Sequence, residues 1–270
     1  MDNYLLTDLR RLEWTKIRKS SGTAGSFLKS FEEKNGKKIY YKLSDYNSVD
    51  RIIGHECVNE IIVDRLLNIL GVEHLHYNLI FGKIMIDGLE KETYLCYSND
   101  FKEIGEQKIA LDTFYNLKKE NNISPLEYCI KIGWEKYIYE MIVVDYLILN
   151  RDRHGANIEV LQNKKNKTIR LAPLFDHGIS LLCRCKEEDL DDYDVLSDKR
   201  VQSFVGTNSV KENLNLIPKD KLPKFSRLSE FDKNEIFKGL DGVISQKRIN
   251  KIWELIWKRW CVYEDLCNKE

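Results

Sequence analysis

Over the first hundred residues, apolar and polar positions run in strand-length pieces, and beyond about Leu111 they recur at helical spacing. Asn35-Gly36 separates the strand-like Phe27 to Phe31 from the β-rich run Lys37 to Ser44, which predicts a hairpin. Leu79 to Met85 and Thr93 to Tyr97, on either side of Asp87-Gly88, predict a second hairpin that completes a small sheet. Cys96 to Phe101 is then its exit hinge. Between the hairpins, Ile62, Val63, Leu66, Leu67 and Leu70 define the apolar face of a helix over Asn59 to Leu70, which Gly71 ends as a C-cap. Further on, Ser124-Pro125-Leu126-Glu127 is a capping box with Pro at the first helical position. Tyr137 to Leu149 reads as a core helix: it carries Glu140 and Asp145 and falls short of the ~20 apolar residues a membrane span needs. Ile158 to Leu161 and Thr168 to Leu171 predict a short hairpin. Ile249, Ile252, Trp253, Ile256, Trp257 and Trp260 form a stripe of helical period suited to a core. The sum is an α+β, two-lobed chain: a small N-terminal antiparallel sheet lobe with one helix over 1–100, and a larger, mainly helical C-terminal lobe over 101–270.

Composition narrows the partners. The 270 residues carry 43 basic and 43 acidic side chains, so no global field favours nucleic acid or an acidic membrane, and any basic patch must be local. The cysteines number seven and are scattered through apolar stretches, which argues against a disulfide framework and for a reducing cytoplasm. Cys183-x-Cys185, with His177 nearby, lacks the second spaced pair of a zinc site and reads as packing. The N-terminus, with Asp2 and Asp8, does not read as a signal peptide. Lys186 to Asp194 reads as an acidic, solvated loop.

The candidate chemistry lies in Asn150-Arg151-Asp152-Arg153-His154-Gly155-Ala156-Asn157 and in Leu174-Phe175-Asp176-His177-Gly178. Phosphoryl transfer needs positioning more than covalent help, and these segments offer a base, Asp152, and oxygen ligands for Mg²⁺, Asn157 and Asp176, in an order and spacing suited to it. Asp145, on the helix leading into the first segment, is read as a buried support for it. Upstream, Ser20-Ser21-Gly22-Thr23-Ala24-Gly25-Ser26 is either a turn whose amides face phosphate or an ordinary Gly/Ser hairpin. Lys42 is either a phosphate-contacting strand lysine or a solvated one. Glu60 is its candidate partner, with Glu56 one turn earlier as the rival.

Taken in order, the strand lysine, helix glutamate, Asp-Arg-His-x-x-Asn loop and Pro-Leu-Phe-Asp turn resemble the HipA-like serine/threonine kinases of bacterial toxin-antitoxin systems, from about Ser20 to Leu182. The resemblance implies a protein-kinase-like fold and transfer of the γ-phosphate of ATP, with Mg²⁺, to a protein Ser or Thr. It implies that Ser21, Gly22, Thr23, Ala24, Gly25 and Lys42 contact nucleotide, Glu60 pairs with Lys42, Asp152 is the base, His154 braces the loop, and Asn157 and Asp176 hold the metal. Autophosphorylation at Ser20, Ser21, Thr23 or Ser26 would switch such an enzyme off. Longer family members carry an additional N-terminal domain ahead of the glycine-rich loop, so the expected partners are an antitoxin or that domain as a separate polypeptide, with neither nucleic acid nor membrane bound directly. The loop also resembles that of phosphoinositide kinases, and a nucleotide-binding pseudokinase module is a further reading.

Overall fold

The computed structural model describes residues 4–17, 24–47, 51–52, 54–120 and 122–268. The chain begins with β1 (Thr7–Asp8), β2 (Thr15–Ile17), β3 (Ala24–Lys34) and β4 (Lys37–Leu43), followed by the small β5 (Tyr46–Asn47) and β6 (Arg51–Ile52) pair, α1 (Glu56–Leu70), β7 (Asn78–Ile86) and β8 (Leu89–Asn99). The main sheet has the order β1-β7-β8-β4-β3-β2, antiparallel apart from the β1 edge. Both expected hairpins are present: β3 pairs β4 across Asn35-Gly36, and β7 pairs β8 across Asp87-Gly88, with positive φ at all four turn residues. The sheet buries Leu9, Leu43, Ile84 and Leu95 on one face, while α1 packs against β4, β7 and β8.

Helix α1 starts at Glu56, a turn earlier than the apolar pattern indicates, because Glu56, Asn59 and Glu60 are buried polar residues that periodicity cannot assign to a core face. It ends as expected, with Gly71 at φ 74°. The hinge also differs. Cys96 to Asn99 stay in β8, paired with β4 from Lys42 to Ile39, so the crossing is residues 100–105.

The second lobe holds β9 (Glu106–Ala110), α2 (Leu111–Lys118), α3 (Pro125–Lys131), α4 (Glu135–Ile148), β10 (Asp152–Arg153), β11 (Glu159–Asn163), β12 (Thr168–Leu171), β13 (Gln202–Ser203), α5 (Val210–Leu214), α6 (Asp232–Ile236) and α7 (Gln246–Asn268). The capping box at Ser124 is complete, with Pro125 at the helix start. The expected β11–β12 hairpin forms, and β9 joins β11 on its other side. Helix α4 is almost wholly buried, and α7 buries Ile249, Ile252, Trp253, Ile256 and Trp260 against the same core, with Trp257 stacked on Trp253. The acidic stretch 186–194 is more anchored than expected: Leu190 is fully buried, and Glu187 and Asp191 pair with Arg248 and Lys247 of α7. All seven cysteines are free thiols. No helix among the described residues is long and apolar enough to cross a membrane.

Candidate active site

Strand β4 delivers Lys42 to the face covered by α1, and the side chains gathered around it explain why it stays extended. Its ammonium donates to Glu60 Oε1 at 2.7 Å, to Asp176 Oδ1 at 2.9 Å and to the Tyr77 hydroxyl at 3.2 Å, and lies over the Tyr77 ring at 5.1 Å from its centre. Burial works against the Lys42 charge, but the two carboxylates outweigh it and hold the amine well above its ordinary range. The partner left open by the sequence is therefore Glu60. Glu56 accepts instead from the Asp45 amide at 3.0 Å. Burial pushes the Glu60 carboxyl up, Lys42 pulls it down, and the nearby Asp176 carboxylate opposes its charge. Its second oxygen accepts the His177 amide at 2.9 Å, so one helix residue grips both the strand lysine and the turn that carries Asp176.

That turn is held from several directions. Asp176 has φ 60°, a left-handed conformation that Asp tolerates better than most residues. Asn59, one residue before Glu60, donates to the carbonyls of Gly178 (3.0 Å) and Ser180 (3.1 Å). A Cβ at Gly178 would come within 3.1 Å of Glu56 Cβ and 3.3 Å of its carbonyl, so the turn approaches α1 closely enough to favour glycine. His177 is buried, and its ring is kept neutral by that burial and by Arg153.

The loop bearing Asp152 follows α4 through Leu149, a buried non-glycine residue at φ 52°. Arg153, 1% exposed, is the hub of this region. It donates to both oxygens of Asp145, to the Asn157 carbonyl at 3.2 Å and to the Phe175 carbonyl at 2.9 Å, and so ties the Asp152 loop to the Asp176 turn. Asp145 also accepts from Asn150 at 2.8 Å, which bears out its reading as an internal support. Asn157 donates its side-chain amide to the Asp152 carbonyl at 2.8 Å. His154 Nδ1 accepts the Ala156 amide and caps the turn 155–157, while its Nε2 lies 3.7 Å from Asp152 Oδ1. A Cβ at Gly155 would strike Asp112 of α2 at 2.4 Å, so the loop is packed hard against that helix start.

The structure thus brings Lys42, Glu60 and Asp176 into direct contact, and joins the Asp152–Asn157 loop to the Asp176 turn through Arg153. Of the glycine-rich segment, Ser20, Ser21, Gly22 and Thr23 lie outside the described residues, and Ala24 and Gly25 open β3. Sequence reasoning missed Tyr77 and Lys29, whose ammonium lies 3.7 Å from Asp176 Oδ2. Tyr77 ends a loop pinned by Asp64, which accepts the Tyr77 amide and contacts His74 and His76. No local pattern marks either residue. Cys183 and Cys185 join no cluster of metal-ligating atoms among the described residues.

A sheet lobe whose lysine is gripped by a helix glutamate, over a helical lobe presenting an Asp-x-x-x-x-Asn loop and an Asp turn, is a protein-kinase-like fold. Among solved structures, the chain is similar to the proinflammatory kinase CtkA of Helicobacter pylori, with TM-score 0.64 and 15% identity over 97% of this chain and 96% of that one. At that identity the likeness establishes the fold alone, a kinase-like architecture. The HipA of Shewanella oneidensis MR-1, solved with HipB and its operator DNA, aligns with TM-score 0.41 and 13% identity over 95% of this chain and 61% of that one. No protein-family model and no curated protein sequence matches the chain.

Proposed function

We propose that the chain is an ATP- and Mg²⁺-dependent serine/threonine protein kinase of the HipA-like type. The observation that carries this reading is the Lys42 ammonium held at 2.7 Å from Glu60 and 2.9 Å from Asp176, the arrangement a phosphate-binding lysine needs to stay extended into a cleft. The kinase-like architecture shared with CtkA supports a phosphotransferase of some kind. The Ser/Thr acceptor rests on the HipA-like motifs.

The side-chain oxygens of Asp176 and Asn157 fit Mg²⁺, a hard cation that takes one or two protein oxygens and leaves its other positions to water and phosphate. When bound there, Mg²⁺ would neutralise charge on the phosphate oxygens. The residues themselves do the rest. Lys42 swings part of its charge from Asp176 to the phosphates while Glu60 keeps it in place. Asp152 accepts the proton of the acceptor hydroxyl as that oxygen bonds to the γ-phosphorus, and the bond from the phosphorus to the bridging oxygen breaks, releasing ADP. Arg153 stays fully buried and fixes the distance between the base and the metal-ligating turn.

An antitoxin is the partner this reading carries with it, and the cytoplasm the compartment. Autophosphorylation at Ser20, Ser21, Thr23 or Ser26 belongs to the same reading, and mass spectrometry after incubation with ATP tests it. For the kinase reading itself, γ-labelled ATP with Mg²⁺ is given to the wild type beside Asp152→Ala and Asp176→Ala. Labelled protein product from the wild type, lost in both variants while Asp152→Ala still binds nucleotide, is the expected result. Transfer that survives Asp152→Ala overturns the assignment of the base.

A further inference from the structure

Asp152 lines a cavity of about 500 Å³ whose walls include none of Lys42, Glu60 and Asp176; Arg151, Arg184 and Arg200 line it instead, with Gln202 and Asn208. Backbone bonds frame it: the Arg151 amide donates to the Ile179 carbonyl, and the Gln202 amide donates to the Arg151 carbonyl, so the loop forms one wall and β13 another. Arg151 is half-buried, and Arg184 and Arg200 are exposed. Among the described residues none of the three guanidiniums makes an ion pair or a side-chain hydrogen bond. Three like charges around one hollow repel one another, and a planar guanidinium is built to meet carboxylate or phosphate oxygens with paired donors. The chain as a whole carries 43 charges of each sign, so no global basic field surrounds the cavity. A nucleic acid or an anionic membrane would call for an extended basic face. A short acidic segment needs only these few charges.

We propose that this cavity is the acceptor subsite and that it selects a protein segment whose Ser or Thr is flanked by Asp or Glu. The inference rests on the kinase reading, because it is Asp152 that brings the acceptor hydroxyl to this spot. An extended chain advances roughly 3.3–3.6 Å per residue, so acidic side chains within about three residues of the acceptor reach the arginines while its hydroxyl meets Asp152. The acidic residues would supply the ion pairs that the described residues do not.

The test uses the full chain, ATP and Mg²⁺ with three peptides that share one Ser acceptor and differ only in flanks of Glu, Ala or Lys. Binding of the same peptides is measured in parallel by fluorescence anisotropy. Expected for the wild type is a kcat/KM at least about tenfold higher on the Glu-flanked peptide than on the Ala-flanked one. Arg184→Glu with Arg200→Glu should erase that preference and raise relative use of the Lys-flanked peptide; Arg184→Gln with Arg200→Gln, which adds no new charge, should erase it without the reversal. Equal use of all three peptides by the wild type, or a Glu preference untouched by both double variants, overturns the proposal. Arginine-dependent binding of the Glu peptide without any phosphoryl transfer would sink the kinase reading and keep the acidic-segment site. Neither binding nor transfer would sink both.

Discussion

Arg151 and Arg153 stand on either side of Asp152, and the molecule treats them in opposite ways. Arg153 is 1% exposed and spends its donors on Asp145, Asn157 and Phe175; Arg151 lies at the edge of a cavity and makes no ion pair among the described residues. The contrast extends to the ground behind each. Inward from the loop, Lys42, Glu60, Asp176, Asp145 and Arg153 form pairs at 2.7–2.9 Å, in surroundings where an unmatched charge would be costly. Outward, water screens three guanidiniums that make no ion pair among the described residues, and the cost of leaving them so is small. Paired charge fixes geometry; charge without an ion pair among the described residues, at a solvent-facing cavity, is suited to meeting an anionic group.

The sharpest way to break this division is at its boundary. Asp152→Ala should lower kcat by about a hundredfold to ten-thousandfold, the usual contribution of a general base, with nucleotide affinity retained; steady-state phosphorylation and nucleotide titration check it. Next in size, Asp145→Ala strands the buried Arg153 charge and should cost about 3–5 kcal/mol of stability, read from urea denaturation. A loss under about 1 kcal/mol would mean that the inner network is not a buried one.

The inner side should also show itself through pH. Burial keeps His177 neutral in the folded protein, with its pKa below the 6.5 that it has when unfolded. The unfolded chain therefore binds a proton below pH 6.5 that the native state does not, so the contribution is complete above that pH and is lost as pH falls beneath it. Wild type should lose up to about 1.4 kcal/mol per pH unit more than His177→Gln over that interval, in urea titrations at several pH values in magnesium-free buffer. Tyr77→Phe removes one hydroxyl from Lys42 and the Asp176 amide, and should cost about 1 kcal/mol while raising the KM for ATP several-fold. Smallest of all, Arg184→Ala should change stability by no more than about 0.5 kcal/mol, since an exposed arginine that pairs with none of the described residues holds nothing together. A large loss there would erase the distinction between the two sides.

Both hairpins, the Gly71 stop, the Ser124 capping box and the core stripe of α7 were legible in the sequence because each depends on local conformational preference or on one periodic face. The same holds for the order and spacing of Asp152, Asn157 and Asp176, which a short loop and a turn impose by themselves. Tertiary structure alone decided the pairings. Glu60 and Glu56 lie one turn apart on α1, and only the position of β4 against that helix gives Lys42 to one and the Asp45 amide to the other. Tyr77 reaches the site through a loop anchored by Asp64, and β9 finds β11 across a long separation in sequence. In Arg-Asp-Arg the two cations are chemically identical, and which is walled in and which left open depends on what packs around the loop. A sequence states which charges exist; burial, set by contacts distant along the chain, decides what each charge must pair with.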